Sequence, residues 1–210
     1  MTVSEIAVLL GIITAVVLAI AVARHPQPMR IMNLVWPITG LYLPVVAWFL
    51  YRALGHHHGH ERRMAGSTLL SALHCGAGCV LGDAIGAPLV FTAGWTLLGE
   101  RLFAEYAVEF GLAYIFGIAF QYFPIRAMRD VSPGEALRDA VKADTLSLVA
   151  FEIGMFGWMA VVRFLLFPPH PPEPSEVVFW FLMQIAMLLG LATTYPANAL
   201  LIRAGIKSGM

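Results

Sequence analysis

Long apolar stretches alternate along the chain with short polar or proline-rich breaks, and this pattern predicts six membrane-spanning helices. The apolar runs cover residues 4–23, 31–51, 68–93, 103–123, 145–166 and 177–201. Each run has about the 20 residues that a helix needs to cross a hydrocarbon core of about 30 Å. The runs are continuously apolar, whereas a membrane β-barrel strand alternates apolar and polar residues. We therefore expect an all-α, polytopic helix bundle that forms a single transmembrane domain over residues 1–210.

Composition supports this class. Hydrophobic residues make up 59% of the 210 residues and charged residues 12%, against about 45–50% and about 25% in soluble domains. The net charge of zero carries no sign of nucleic-acid binding. The expected partners are the lipid bilayer and another membrane subunit, either a second copy of the chain or a member of a larger complex.

The distribution of Lys and Arg predicts the orientation of a six-span bundle. With the N-terminus in the cytoplasm, nine basic residues fall in inside segments, three fall in outside loops, and Arg163 lies within the fifth span. Basic residues concentrate on the cytoplasmic side of membrane proteins. Six spans with this bias place both termini in the cytoplasm.

One polar connection has a helix-start signal of its own. Ser132, Pro133 and Glu135 form a capping box with proline at the first helical position. A cytoplasmic helix is predicted to begin here, either as a separate linker helix or as one that runs directly into the fifth span.

The third span holds the most distinctive residues. Cys75, Cys79 and Asp83 follow one another at four-residue intervals and so share one side of a helix. A neighbouring face consists of glycines, a small-residue pattern that favours close helix packing; these are Gly78, Gly82 and Gly86.

Three interpretations of the two cysteines stay open. Thiolates one helical turn apart are suitable ligands for a soft transition metal such as copper, they could form a strained disulfide, or they could simply pack as small apolar side chains. Asp83 favours a functional interpretation, because a carboxylate in a membrane span is costly. His74 points away from the thiols around the helix, so we expect it to hydrogen-bond to another helix.

The last two spans add candidate ligands. Met155 and Met159 lie one turn apart in the fifth span, and Met183 and Met187 do so in the sixth. Thioethers suit Cu(I), although methionines also fill helix interiors. Two further polar residues are expected to face the same interior, namely Glu152 and Gln184.

A histidine-rich loop precedes the third span. His56, His57, His58 and His60 could bind a transition metal weakly or could form an ordinary polar loop. The chain has no P-loop, GxSxG or HExxH motif, which favours a protein that is not an enzyme.

Several of these stretches together resemble a known family. They are His74-Cys75-Gly76-Ala77-Gly78-Cys79 with Leu81-Gly82-Asp83, then residues 142–148, Gly154-Met155 with Met159, and residues 183–187, 194–198 and 201–207. This set is similar to a bacterial integral-membrane family known only as domain-of-unknown-function family 4396. The resemblance implies a multi-pass helical protein of the bacterial cytoplasmic (inner) membrane and implies no reaction.

Three functional hypotheses follow. The first is soft-metal binding or transport, with a copper-like ion held by the two cysteines, Asp83 and the four methionines. The second is a non-catalytic accessory or scaffold subunit of a membrane complex. The third is a membrane thiol redox protein that uses Cys75 and Cys79.

Overall fold

The described part of the chain is helical, as predicted. The computed structural model describes residues 1–55 and 64–207, and the predicted histidine tract, His56–His60, lies outside these residues. Seven α-helices occur in this part of the chain: α1 (Val3–Arg24), α2 (Met32–Tyr42), α3 (Val46–Leu50), α4 (Met64–Ala93), α5 (Arg101–Met128), α6 (Pro133–Val161) and α7 (Val177–Arg203). A π-helical turn extends α3 over Tyr51–Gly55, and another extends α6 over Val162–Leu166.

Five of these helices are long and apolar enough to cross a membrane, namely α1, α4, α5, α6 and α7. At 1.5 Å per residue, even the 22 residues of α1 extend over about 33 Å, more than the hydrocarbon thickness of about 30 Å. Five of the six predicted spans are therefore helices of suitable length and composition.

The prediction of a continuous second span, residues 31–51, is wrong. The helix stops at Tyr42 and restarts at Val46. Pro44 has no backbone N–H to continue the helical ladder, and Val45 has a φ of 65°, which no right-handed helix can contain. The segment is thus two short helices joined by a sharp turn.

The two short helices fold back on each other as a hairpin. The rings of Trp36 in α2 and Tyr51 after α3 pack edge to face with centroids 5.4 Å apart. Farther from the turn, Gln27 and Gly55 are neighbours, because a Cβ atom on Gly55 would lie 3.6 Å from Gln27 Oε1. Residues 32–55 therefore enter and leave the bundle at the same end, which is the arrangement of a re-entrant hairpin.

The tip of the hairpin is anchored in the middle of the bundle. The break leaves backbone groups without helical partners, and such groups are costly to bury unpaired. The Val45 N–H donates to Thr14 Oγ1 at 3.1 Å, and Gln184 Nε2 donates to the Leu41 carbonyl at 2.6 Å. Hydrogen bonds from α1 and α7 thus compensate for the break.

The hairpin changes the relation between the two termini. Gln184, near the start of α7, also reaches the Ala7 carbonyl near the start of α1 at 3.4 Å, so α1 and α7 run in the same direction. The predicted six-span arrangement, with both termini on one side, does not describe this bundle. The described chain starts at one end of the bundle and finishes at the other.

Helix α6 combines the predicted cytoplasmic helix with the fifth span. The Glu135 N–H donates to Ser132 Oγ at 3.3 Å, and the Ser132 N–H donates to Glu135 Oε2 at 2.9 Å. This reciprocal capping box confirms the predicted helix start, and the helix continues without interruption to Val161.

Helix α4 packs closely on α5 through its glycines. A Cβ atom on Gly78 would lie 2.9 Å from Gly117 Cα, and one on Gly86 would lie 2.7 Å from the side chain of Glu109. A Cβ atom on Gly82 would collide with the backbone of Ala113. The two helices therefore approach to near backbone contact along this face.

A candidate proton path through the bundle

Ionisable and thiol side chains extend through the interior from one end of the bundle to the other. The residues of this path are all less than 9% exposed; in order, they are Glu105, Glu109, Asp83, Glu152, Cys79, Cys75, Asp144 and Lys207. An intramembrane ionisable group is costly and normally has a partner or a task. Six such groups, five carboxyl groups and one lysine, in the interior of one bundle require an explanation beyond packing.

The first end of the path opens into a vestibule of about 500 Å³. Two ion pairs form part of its wall. Arg163 pairs with Glu100 at 2.9 Å. Arg101 pairs with Glu173 at 3.3 Å. Arg101 also pairs with Glu105 at 3.2 Å. Glu105 is thus the group through which the vestibule meets the interior.

Three carboxyl groups meet deeper in the bundle. Asp83 of α4, Glu109 of α5 and Glu152 of α6 lie close enough to interact electrostatically. Asp83 is fully buried, and among the described residues no hydrogen bond reaches either of its carboxyl oxygens. Three neighbouring carboxylates could not all be charged in a low-dielectric interior, so this cluster is suited to holding protons.

The two cysteines continue the path beyond the carboxyl groups. The Cys79 thiol is close enough to the Glu152 carboxyl and to the Cys75 thiol to interact with both, but among the described residues no hydrogen bond reaches either Glu152 oxygen. Tyr42, at the end of α2, also lies close to both thiols. Both cysteines are free thiols in this structure, so the strained disulfide, one of the three interpretations left open by the sequence, is absent from it.

The second end of the path is a buried ion pair. Lys207 Nζ lies 3.7 Å from Asp144 Oδ1, and these side chains are 0% and 2% exposed. Asp144 also lies beside the Cys75 thiol, which joins the pair to the cysteines. The path therefore ends in a carboxylate with its own cationic partner.

The turn after α7 explains how Lys207 becomes buried. Gly205 adopts a φ of +67°, the left-handed conformation that glycine permits. The Ile206 N–H bonds to the Leu201 carbonyl and the Gly205 N–H bonds to the Ile202 carbonyl, which is the Schellman pattern. The chain reverses there and returns Lys207 to the bundle.

A hydrogen-bonded group supports the ion pair. Lys207 Nζ donates to Ser147 Oγ at 3.4 Å, and Ser147 Oγ donates to Asn198 Oδ1 at 3.1 Å. Thr194 Oγ1 donates to the Ser147 carbonyl at 2.7 Å. The stretches that resemble the family, 142–148, 194–198 and 201–207, thus meet at one place.

His74 interacts with a different helix from the thiols. It is buried and bonds to the backbone of Phe120 in α5, whose ring stacks on it with centroids 6.1 Å apart. Pro124, four residues on, has no N–H to bond the Phe120 carbonyl. The histidine therefore occupies an acceptor that the proline leaves free.

The four predicted methionine ligands belong to the same buried apolar cluster as Cys75 and Cys79. Met183 and Met187 also line a groove of about 280 Å³ between α1, α2, α4 and α7, and Met159 also lines the vestibule. Met155 is fully buried. Gln184 bonds to the hairpin through the Leu41 carbonyl.

The same part of the chain lacks a preformed metal centre. Within residues 1–55 and 64–207, no group of three or more His, Cys, Asp or Glu side chains is arranged to hold a metal ion. The thiol pair remains as two neighbouring soft ligands.

Two members of the site have no strong signal in the sequence. Tyr42 lies near the thiols because α2 ends in the bundle interior. In the sequence, Lys207 has the features of an ordinary basic residue at a helix end. The available signals were Pro44, which marks the break, and Gly205, which marks the reversal.

Comparison with known proteins places the chain in a family. Residues 66–207 match the model described as Domain of unknown function (DUF4396). The chain belongs to this family, as the resemblance predicted, and the match contains every residue of the path from Glu105 to Lys207. No curated protein and no solved structure matches the chain.

Proposed function

We propose that the protein conducts protons across a membrane through the path between the vestibule and Lys207. The observation that supports this proposal most strongly is the series of buried carboxyl groups and thiols between the vestibule and Lys207. Chains of Asp, Glu and His in membrane helices are typical of proton relays. Each carboxyl group on the path can bind and release a proton.

The packing of the helices favours protons over larger ions. At Gly78 and Gly82, α4 and α5 approach so closely that a single Cβ atom has no room. A water-filled pore cannot pass between these two helices. A proton can move between adjacent side chains without such a pore.

The charge distribution supports an orientation with the N-terminus outside and the C-terminus in the cytoplasm. With residues 32–55 as a re-entrant hairpin, nine basic residues of the described part of the chain belong to the C-terminal end of the bundle: Arg24, Arg30, Arg52, Arg126, Arg129, Arg138, Lys142, Arg203 and Lys207. In the same part of the chain, only Arg101 and Arg163 belong to the other end. Basic residues mark the cytoplasmic side, so the vestibule faces outward, from the cytoplasmic membrane of a bacterium.

The soft-metal hypothesis has less support. Cys75 and Cys79 supply two soft ligands, but no group of three or more His, Cys, Asp or Glu side chains in the described residues is arranged to hold a metal ion. A copper-like ion would also need a further ligand group at the thiols. The scaffold hypothesis is supported only by the small-residue faces. The redox hypothesis is supported only by the neighbouring thiols.

Proton flux into liposomes tests the proposal. Purified protein is reconstituted into liposomes that contain a pH-sensitive dye, and potassium with valinomycin sets the membrane potential. We expect faster acidification than in protein-free liposomes. Asp83→Asn and Glu152→Gln should each reduce the rate almost to the protein-free level, because an amide cannot carry the proton onward.

Asp130→Asn is the matched control, since Asp130 is exposed and outside the path, and it should conduct like the native protein. Native flux at the protein-free level, or unchanged flux in Asp83→Asn, would refute the proposal. Stoichiometric copper that is lost in a Cys75→Ser, Cys79→Ser double variant would support the soft-metal hypothesis instead.

A further inference from the structure

A second feature, separate from the proton path, is a groove on the outside of the bundle. It has a volume of about 830 Å³ and lies between the segment that leads into α2 and the last turns of α5. Its walls are mainly apolar, and they include Met29, Ile31, Leu34, Phe123 and Ala127. Leu34 is 45% exposed and Phe123 is 63% exposed, so the apolar surface is open to its surroundings.

The groove is also positively charged. Among the described residues that line it, Arg30 is the only charged one, and none of them is a carboxylate. Arg30 is exposed, so its guanidinium is accessible from the membrane surface. An occupant with an anionic group beside an apolar chain would match both the charge and the walls.

The depth of the groove fits the boundary between headgroups and hydrocarbon. Phe123 and Ala127 belong to the end of α5, which finishes at Met128 with Arg126 in its last turn. The same end of the bundle has most of the basic residues. Basic pockets between helices on the cytoplasmic side are places where anionic lipid headgroups bind.

We infer that this groove binds an anionic phospholipid, with the lipid phosphate at Arg30 and an acyl chain along Leu34 and Phe123. The guanidinium can form two parallel hydrogen bonds to phosphate oxygens. The acyl chain covers apolar surface that the protein itself leaves open. The site selects lipids by headgroup charge, and it does not depend on whether the path conducts protons.

Native mass spectrometry tests this site. The full chain is released from nanodiscs made of equal amounts of phosphatidylglycerol and phosphatidylcholine, and the retained lipids are counted. We expect retention of phosphatidylglycerol over phosphatidylcholine. Arg30→Gln should remove this preference, and Arg30→Lys should keep part of it, because the ammonium is a cation without the planar fork.

Arg24→Gln provides the matched control. Arg24 is the last residue of α1, six residues before Arg30, and is also exposed, but it does not line the groove, so its loss should leave lipid retention unchanged. Equal retention of both lipids by the native protein would overturn the inference. An equal reduction of phosphatidylglycerol retention in Arg24→Gln and Arg30→Gln would also overturn the inference.

Discussion

At the scale of single residues, the buried ion pair of Asp144 and Lys207 has a high desolvation cost and a clear structural role. Removing two charges from water is costly, and their attraction repays this only with good geometry and further hydrogen bonds. Ser147 supplies such a bond to Lys207. The pair therefore holds the C-terminal turn against α6 as well as ending the path.

Breaking this pair from one side should destabilise the protein strongly. Lys207→Met leaves the Asp144 carboxylate buried without its cation, and removal of one partner of a buried pair costs about 3–5 kcal/mol. The double variant Asp144→Asn, Lys207→Met should recover much of this loss, because neither charge remains. Chemical unfolding in detergent measures the free energy of unfolding of each variant.

Lys142→Met is the control for removal of a lysine, since Lys142 is exposed on the same helix as Asp144. Lys142→Met should change the free energy of unfolding only slightly. If the double variant is as unstable as Lys207→Met, the buried charge is not the cause of the loss.

At the scale of elements, the contact of α4 with α5 depends on glycine. Gly82→Ala forces a methyl group into the backbone of Ala113, and overpacking of this kind costs about 1–3 kcal/mol. Gly111→Ala in α5 has open space around the new methyl group and should be neutral or slightly stabilising, because alanine is the better helix former. Thermal unfolding in detergent compares the two variants, and equal melting temperatures would contradict close packing at Gly82.

The same scale shows what the sequence could and could not predict. The crossing helices were predictable because each apolar run has the length of a span. The hairpin was not predictable, because residues 31–51 are as apolar as a crossing helix. Valine rarely adopts a left-handed conformation, so the residue type at position 45 does not indicate one. Four-residue spacing put Cys75, Cys79 and Asp83 on one side of α4. The positions of Glu109 and Glu152 beside them depend on how α5 and α6 pack, which periodicity within a single helix does not encode.

At the scale of the whole molecule, the hairpin decides the topology. A continuous second span divides the basic residues nine to three, with Arg163 left within the fifth span. A hairpin that returns to its own side moves the connection of Arg24 and Arg30 to the end that already has most of the basic residues. Among the described residues the bias then becomes nine to two, so the fold and the positive-inside rule agree better than the sequence pattern alone suggested.

Cysteine labelling in intact cells tests this topology directly. In a background without the native thiols (Cys75→Ala, Cys79→Ala), single cysteines replace Pro26 and Ala53, which are exposed on the two sides of the hairpin. Because the hairpin enters and leaves on one side, both positions should resist a membrane-impermeant maleimide until the cells are permeabilised. Thr2→Cys should react in intact cells and Ala204→Cys only after permeabilisation, since the termini lie at opposite ends of the bundle. A six-span protein gives a different pattern, with Pro26 outside, Ala53 inside and both termini protected, and that result would show that residues 31–51 cross the membrane.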